Sequence, residues 1–255
     1  MQLPYEAEIS RGVPRAKEWV KALVALTARP FGAVSRIATR EPAIALTFDD
    51  GPHPTDTPRV LEVLGRHGAR GTFFMVGERA QSHPALVAQI TASGHAIANH
   101  GWDHTSFPLL SSAQRADQIR RCAVALGERG VALFRPPYGE QTLGSLRDAR
   151  RAGQQVVTFD VVAEDWRDDP AERLYERVMR RLRRGSIVVF HDTLYTATDP
   201  RFRDRGPLLH ALDTLLARLR GDFRFVTVPD LMRLGRPVYA HHYHRLPESY
   251  RKQLA

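Results

Sequence analysis

Between residues 43 and 228, short apolar runs alternate with longer segments in which apolar residues recur at helical spacing. The short runs are rich in β-branched residues, which favour strands. This succession is typical of a parallel sheet whose strands are joined by crossover helices. We predict strands at 43–48, 71–76, 95–99, 131–135, 155–160, 186–191 and 223–228. Seven such strands favour an α/β barrel.

Helical segments separate the predicted strands. They cover residues 57–67, 78–93, 112–129, 142–152, 170–183 and 207–220. Ser111 or Ser112 can cap the third helix, because a serine side chain accepts a hydrogen bond from the first helical turn. Pro170 suits the first turn of the fifth helix, where its missing N–H costs nothing.

The length of the chain allows one large α/β domain or two small ones. It has 255 residues, 43% of them hydrophobic, which is enough to bury a sizeable core. Because no repeat or low-complexity linker interrupts the alternation, we predict a single domain at 41–235. Residues 1–40 are interpreted as a partly helical N-terminal extension and 236–255 as a polar C-terminal tail. The tail carries His241, His242 and His244, which could bind a metal ion loosely but are interpreted as surface residues.

The chain is strongly basic, with a formal net charge of +9 at pH 7. Much of it comes from arginine pairs in the predicted helices, which are typical of solvated helix faces. Fixed positive charge can attract nucleic acid, anionic lipid or an acidic polysaccharide. No zinc finger, basic leucine zipper or aromatic RNA-binding motif accompanies it. We therefore predict no nucleic-acid partner.

Cysteine usage and the first forty residues bear on the compartment. Cys122 is the only cysteine, so an intramolecular disulfide and a multi-thiolate zinc site are both excluded. Residues 1–40 hold no apolar run of transmembrane length and no standard signal peptide. We predict a cytoplasmic protein, unless the native start lies upstream with an export signal. Residues 19–28 form either a packed helix or a peripheral membrane helix, and the oligomeric state stays open.

Polar residues capable of catalysis follow the predicted strands. In α/β barrels the active site is built at the carboxyl ends of the strands. Five separate loops are therefore expected to converge on one mouth. The residues concerned are Asp49, Asp50, His100, His104, Arg135, Tyr138, Asp165, Trp166 and His191.

Two of these motifs together suggest a metal site. Asp49 and Asp50 form either a plain turn or a pair of carboxylates with separate roles, one binding metal and one accepting a proton. His100 and His104 are either structural or able to reach one cation, since four residues separate them. With Asp50 as a third ligand, positions for water and substrate stay open, as a catalytic zinc site requires.

The remaining motifs are weaker when taken alone. Residues 134–139 form either a proline-rich turn or a rigid loop in which Arg135 pairs with Asp49 and a backbone N–H binds an oxyanion. His191 at a strand end is either a satisfied core histidine or a catalyst. An aspartate that fixes its tautomer favours the second reading.

The five motifs together resemble those of carbohydrate esterase family 4, the polysaccharide deacetylases with the NodB-homology domain. They lie in the family order at 47–51, 100–104, 135–138, 165–166 and 189–191, and the resemblance covers about 42–234. Five ordered motifs are highly specific. The resemblance implies a distorted (β/α)7-type barrel.

The resemblance also implies a base and a metal site. Asp49 would be the general base, and Arg135 would orient it. Asp50, His100 and His104 would hold a divalent metal ion, with Zn²⁺ expected and Co²⁺, Mn²⁺ or Ni²⁺ as alternatives.

The acid and the substrate contacts follow in the same way. His191 would be the general acid and Asp165 would orient it. The backbone N–H of Tyr138 would bind the oxyanion, and Trp166 would help wall the pocket for the acetyl methyl group. The chain departs from the family at Gly101, where Ser or Thr is usual, so a hydrogen bond that stiffens this loop is expected to be missing.

These roles imply a metal-dependent hydrolase that removes N-acetyl groups from an N-acetylated glycan. The substrate stays open among chitin oligomers, peptidoglycan, other glycans, glycolipids and O-acetyl esters. Two alternative functions also stay open: an amidase acting on a non-sugar amide or cyclic imide, and a non-catalytic carbohydrate-binding barrel.

Overall fold

A curled parallel sheet forms the centre of the fold. The computed structural model describes residues 32–197 and 199–240. Its strands are β1 (Ala33–Ala38), β2 (Ala43–Asp49), β3 (Gly71–Met75), β4 (Ala96–Asn99), β5 (Gly130–Phe134), β6 (Gln155–Val156), β7 (Val161–Val162), β8 (Ile187–His191), β9 (Arg224–Phe225) and β10 (Arg236–Ala240). The main sheet has the order β6-β5-β4-β3-β2-β8-β7, with parallel neighbours. The predicted distorted barrel of seven strands is confirmed.

Helices follow most of these strands. They are α1 (Asp56–Arg66), α2 (Gly77–Ser82), α3 (Pro84–Ala92), α4 (Ser112–Leu126), α5 (Leu143–Arg151), α6 (Ala171–Arg181), α7 (Pro200–Arg203), α8 (Gly206–Leu219) and α9 (Val228–Arg233). Ser111 caps α4, since its side chain accepts a hydrogen bond from the Gln114 N–H. The predicted single helix at 78–93 is wrong. Pro84 disfavours helical geometry at His83, which separates α2 from α3.

The predicted strand at 155–160 is also wrong. Its residues divide between β6 and β7, which lie at opposite edges of the main sheet. The backbone changes partners on the way: Val157 N–H donates to Phe134 O, Thr158 N–H to Val34 O, and Asp160 N–H to Ile187 O. This stretch therefore crosses the open side of the barrel. Of the seven strands in the main sheet, β7 is the one at the edge beside β8.

The last predicted strand, 223–228, is reduced to β9. This strand pairs with the beginning of β2, away from the main path of the sheet. Thr227 ends it, because the Thr227 side chain accepts a hydrogen bond from the Asp230 N–H and caps α9.

The two flanks meet in a small sheet. Residues 33–38 and 236–240, which the sequence assigns to the extension and the tail, pair as antiparallel strands β1 and β10. Val34 and Ile37 of β1 are fully buried. Pairing across about 200 positions leaves no local signal, so the sequence pattern missed it. The domain assignment itself stays a prediction, and residues 1–31, with 19–28, and 241–255, with their histidines, lie outside the described residues.

The core places the loop after β2 beside the loop after β8. Phe48 stacks on Phe73 and Phe190, with ring centroids 5.0 and 5.9 Å apart. Asp49 and His191 are register partners at the ends of β2 and β8. Within the described residues, no helix is long and apolar enough to span a membrane.

Candidate metal centre and acid–base site

The loops at the carboxyl ends of the strands enclose one cavity of about 550 Å³. Seven of the nine residues singled out in the sequence line it: Asp49, Asp50, His100, His104, Tyr138, Trp166 and His191. The other two, Arg135 and Asp165, are buried and bond to residues of the cavity wall. All five motifs are therefore brought together.

Asp50, His100 and His104 converge on one point. Asp50 Oδ1 lies 3.0 Å from His104 Nε2 and 3.4 Å from His100 Nε2. It is buried and has no hydrogen-bond partner among the described residues. A buried carboxylate oxygen facing two imidazole nitrogens is a donor set that suits a divalent cation. These three side chains fit a metal ion, and they form the only such cluster in the described part of the chain.

Neighbouring groups orient two of these side chains. His100 Nδ1 lies 2.8 Å from Arg135 O, so Nδ1 carries the proton and Nε2 faces Asp50. Asp50 Oδ2 accepts a hydrogen bond of 2.8 Å from the Tyr195 N–H. Burial opposes ionisation of Asp50, but the His100 and His104 imidazoles that face its carboxylate hold its pKa well below the usual value. Asp50 is therefore an anion.

Asp49 faces a different partner. Its Oδ1 accepts a hydrogen bond of 2.7 Å from Arg135 Nη1, and Arg135 is fully buried. Arg135 also donates to Thr47 Oγ1 and Thr158 O, and its guanidinium lies 4.0 Å from the Phe74 ring centroid. Burial lowers the pKa of Arg135, and the Asp49 charge opposes that shift. The contact fixes the Asp49 carboxylate at the cavity wall.

His191 is paired with Asp165 on the other side of the cavity. Asp165 Oδ1 lies 2.9 Å from His191 Nδ1, and Oδ2 accepts a hydrogen bond from the His191 N–H at 2.8 Å. Burial alone would lower the pKa of His191, but the charge of Asp165, with those of Asp50 and Asp49, raises it to about 9. The Trp166 ring stands perpendicular to the imidazole at 5.4 Å. These carboxylates therefore favour the protonated form of His191.

Backbone strain is concentrated in the same loops. Four non-glycine residues of the described chain have positive φ: Asp50, His104, Tyr138 and Glu164. Three of them line the cavity, and Glu164 precedes Asp165. Such conformations cost about 1–3 kcal/mol each and persist where surrounding contacts hold them. Strain in four separate loops indicates that the site geometry is imposed by the fold.

The loop at Gly101 is stiffened without the expected side-chain hydroxyl. Gly101 has a φ of 83°, a conformation that favours glycine. Its N–H donates to Asn99 Oδ1 at 2.9 Å, and Gln118 Oε1 accepts hydrogen bonds from the Trp102 and Asp103 N–H groups. Asn99 and Gln118 thus support the loop.

Sequence reasoning missed three residues that bond to the site. Asp192 is fully buried, and accepts hydrogen bonds from the Gly51 N–H and Thr57 Oγ1; burial raises its pKa to about 7. Tyr195 contacts Asp50, as described above. Arg205 bonds to Asp165. Asp192 could have been found from the sequence, because it is a carboxylate directly after His191 at the end of a predicted strand. Arg205 could not, because it lies 40 positions from Asp165 and no local pattern links the two.

We predict that Gly51→Ala damages the site through Asp192. A Cβ at Gly51 would lie 2.7 Å from the Asp192 Cγ, which forces the carboxylate or the Asp50 loop to move. The expected loss in the free energy of unfolding is about 1–3 kcal/mol, as for other overpacked sites. Gly65→Ala, in α1 with open space around it, is the control and should stabilise by about 0.5–1 kcal/mol. Urea titration measures both, and equal stability of the two variants would contradict the prediction.

Comparison with known proteins agrees with this architecture. Residues 36–157 match the family described as polysaccharide deacetylase. A chitooligosaccharide deacetylase of Azorhizobium caulinodans is 36% identical over 165 residues, which cover 63% of this chain and 79% of that protein. A peptidoglycan N-acetylglucosamine deacetylase of Bacillus cereus is 35% identical over 211 residues, which cover 80% and 95%.

A solved structure extends the likeness to three dimensions. A peptidoglycan N-acetylglucosamine deacetylase crystallised with a naphthalenyl N-hydroxybenzamide superposes with a TM-score of 0.74 at 26% identity. The match covers 84% of this chain and all of the other. With the two curated relatives above 30% identity and most of their length covered, this chain belongs to the polysaccharide deacetylase family of hydrolases.

Proposed function

We propose that this protein is a metal-dependent hydrolase that removes N-acetyl groups from glycans containing N-acetylglucosamine. The proposal rests on one observation: Asp49 and His191 line the same cavity as the three side chains that can hold a metal ion. Relatives named as chitooligosaccharide and peptidoglycan N-acetylglucosamine deacetylases support the substrate class. The cytoplasmic location stays a prediction.

The ion would be held by Asp50, His100 and His104. We propose Zn²⁺, with Co²⁺, Mn²⁺ or Ni²⁺ as substitutes, because the donor set mixes imidazole and carboxylate. Such an ion supplies Lewis acidity, which polarises a carbonyl group and makes water a stronger acid. Trp166, which lines the cavity beside His191, would wall the space for the acetyl methyl group.

The protein's own groups would move the protons. Asp49, held by Arg135, takes a proton from the attacking water as general base. The backbone N–H of Tyr138 donates to the developing oxyanion. His191, with its Nδ1 proton held by Asp165, protonates the departing amine from Nε2. The products are acetate and a free amino sugar.

A substrate panel with and without a chelator tests the proposal. We expect acetate release from N-acetylglucosamine oligomers or peptidoglycan fragments, loss of that release with a chelator, and recovery with Zn²⁺ or Co²⁺. Acetylated amino acids and ureides serve as comparison substrates. Full activity of a verified metal-free preparation would refute metal dependence. Turnover of only the non-sugar amides would point to an amidase, and glycan binding without turnover to a binding barrel.

A further inference from the structure

We propose that Arg205 is a positioning residue for His191, acting through Asp165. Arg205 lies outside the five motifs and outside the cavity wall, at the residue before α8. The inference rests on the proposed function, in which His191 delivers a proton to the leaving group. It assigns to Arg205 the control of how His191 presents that proton.

Arg205 forms two hydrogen bonds with Asp165. Its Nη2 lies 2.5 Å from Asp165 Oδ2, and its Nη1 donates to the Asp165 carbonyl oxygen at 3.0 Å. Arg205 is 2% exposed and Asp165 is 4% exposed, so water does not compete for these contacts. A planar guanidinium that bonds both the side chain and the backbone of one residue fixes that residue's rotamer.

The orientation of Asp165 determines that of His191. Asp165 Oδ1 holds the His191 Nδ1 proton, and Oδ2 receives both the His191 backbone N–H and the Arg205 guanidinium. Because Nδ1 is engaged, Nε2 is the nitrogen left for the cavity. Rotation of the carboxylate would break these contacts together, and Arg205 opposes that rotation.

The charge of Arg205 matters after the proton has left. Burial would raise the pKa of Asp165, whereas the charges of His191 and Arg205 lower it, so the carboxylate stays ionised. When His191 gives up its proton, Arg205 still neutralises Asp165. Without Arg205, proton release would leave a buried carboxylate without a counter-charge, which is unfavourable. The Asp49 and Asp50 carboxylates also favour the charged form of His191, whereas the Arg205 guanidinium bonds to Asp165 alone among the acidic groups around His191.

The alternative is that Arg205 only fastens α8 to the barrel. The two roles predict different dependence on the leaving group. An amine must be protonated to leave, whereas 4-nitrophenolate leaves as an anion. A positioning role therefore affects amide hydrolysis alone, and a merely structural role affects both reactions.

The test compares Arg205→Met with wild type on N-acetylglucosamine oligomers and on 4-nitrophenyl acetate, both with Zn²⁺. We expect kcat for the glycan to fall about 10- to 100-fold, as for other outer partners of a site residue. KM for the glycan and the rate of ester hydrolysis should change by less than about twofold. Arg205→Lys, which keeps the charge, should recover part of kcat. Arg220→Met, an exposed arginine that follows the same helix, should match wild type.

Two further measurements test the same contact. The second needs no glycan turnover, and Arg205→Gln replaces Arg205→Met in both if the methionine variant is unstable. Asp165→Asn/Arg205→Met should lose no more activity than Asp165→Asn, because both changes act on one contact. In metal-free protein, the downfield His191 Nδ1 proton signal should vanish or shift in Arg205→Met and persist in Arg205→Lys. Equal losses on both substrates, additive losses in the double variant, or an unchanged Nδ1 signal would overturn the inference. A wild type that hydrolyses the ester but no glycan would refute only the proposed function.

Discussion

Asp49→Asn should lower turnover by about two to four orders of magnitude while leaving metal binding nearly intact. The asparagine amide keeps the shape of the carboxylate and one oxygen that can accept from Arg135, whose Nη1 lies 2.7 Å from Asp49 Oδ1. It cannot take a proton from water. His191→Ala should cause a loss of similar size, because the acid is removed from the same cavity. Initial rates of acetate release, with metal content measured on the same samples, provide the measurement.

Asp50→Asn is the matched control for this assignment. Position 50 needs an anion beside two neutral imidazoles to hold a dication, so Asp50→Asn should weaken metal binding first and activity in consequence. If Asp49→Asn lost the metal while Asp50→Asn bound it normally and failed only in turnover, the roles assigned to the two aspartates would have to be exchanged.

His104→Ala should abolish stoichiometric metal binding and, with it, activity. Two of the three side chains would remain, and the loss of affinity should exceed the roughly 10- to 100-fold typical of an outer partner. The fold should survive, because His104 lies in a loop at the mouth of the cavity, outside the helices and strands. Isothermal titration with Zn²⁺, together with circular dichroism, checks both statements.

His210→Ala provides the control for histidine removal. His210 is an exposed residue of α8 that does not line the cavity, so its loss should leave metal content and rate unchanged. A His104→Ala protein that retains one tightly bound metal ion per chain would show that the ligand assignment is wrong.

Local patterns in the sequence were sufficient for the class of fold and for most of the site. Continuous apolar runs such as 43–48 and 186–191 must be buried between helices. Their alternation with segments of helical periodicity therefore predicts a parallel sheet directly. Asp49 and His191 each end a strand, and parallel strands bring their carboxyl ends to one edge. The convergence of the site residues on one cavity follows from that geometry.

Tertiary structure decided the features that depend on distant partners. Residues 155–160 form two strands because their backbone groups bond to different neighbours, and 33–38 becomes a strand only by pairing with 236–240. The contact of Arg205 with Asp165 is another such feature. The two residues lie 40 positions apart, and in a chain rich in arginine no local pattern indicates which arginine pairs with Asp165. Local sequence encodes burial and turn geometry, whereas the partner of a buried charge or an edge strand is selected only when the chain folds.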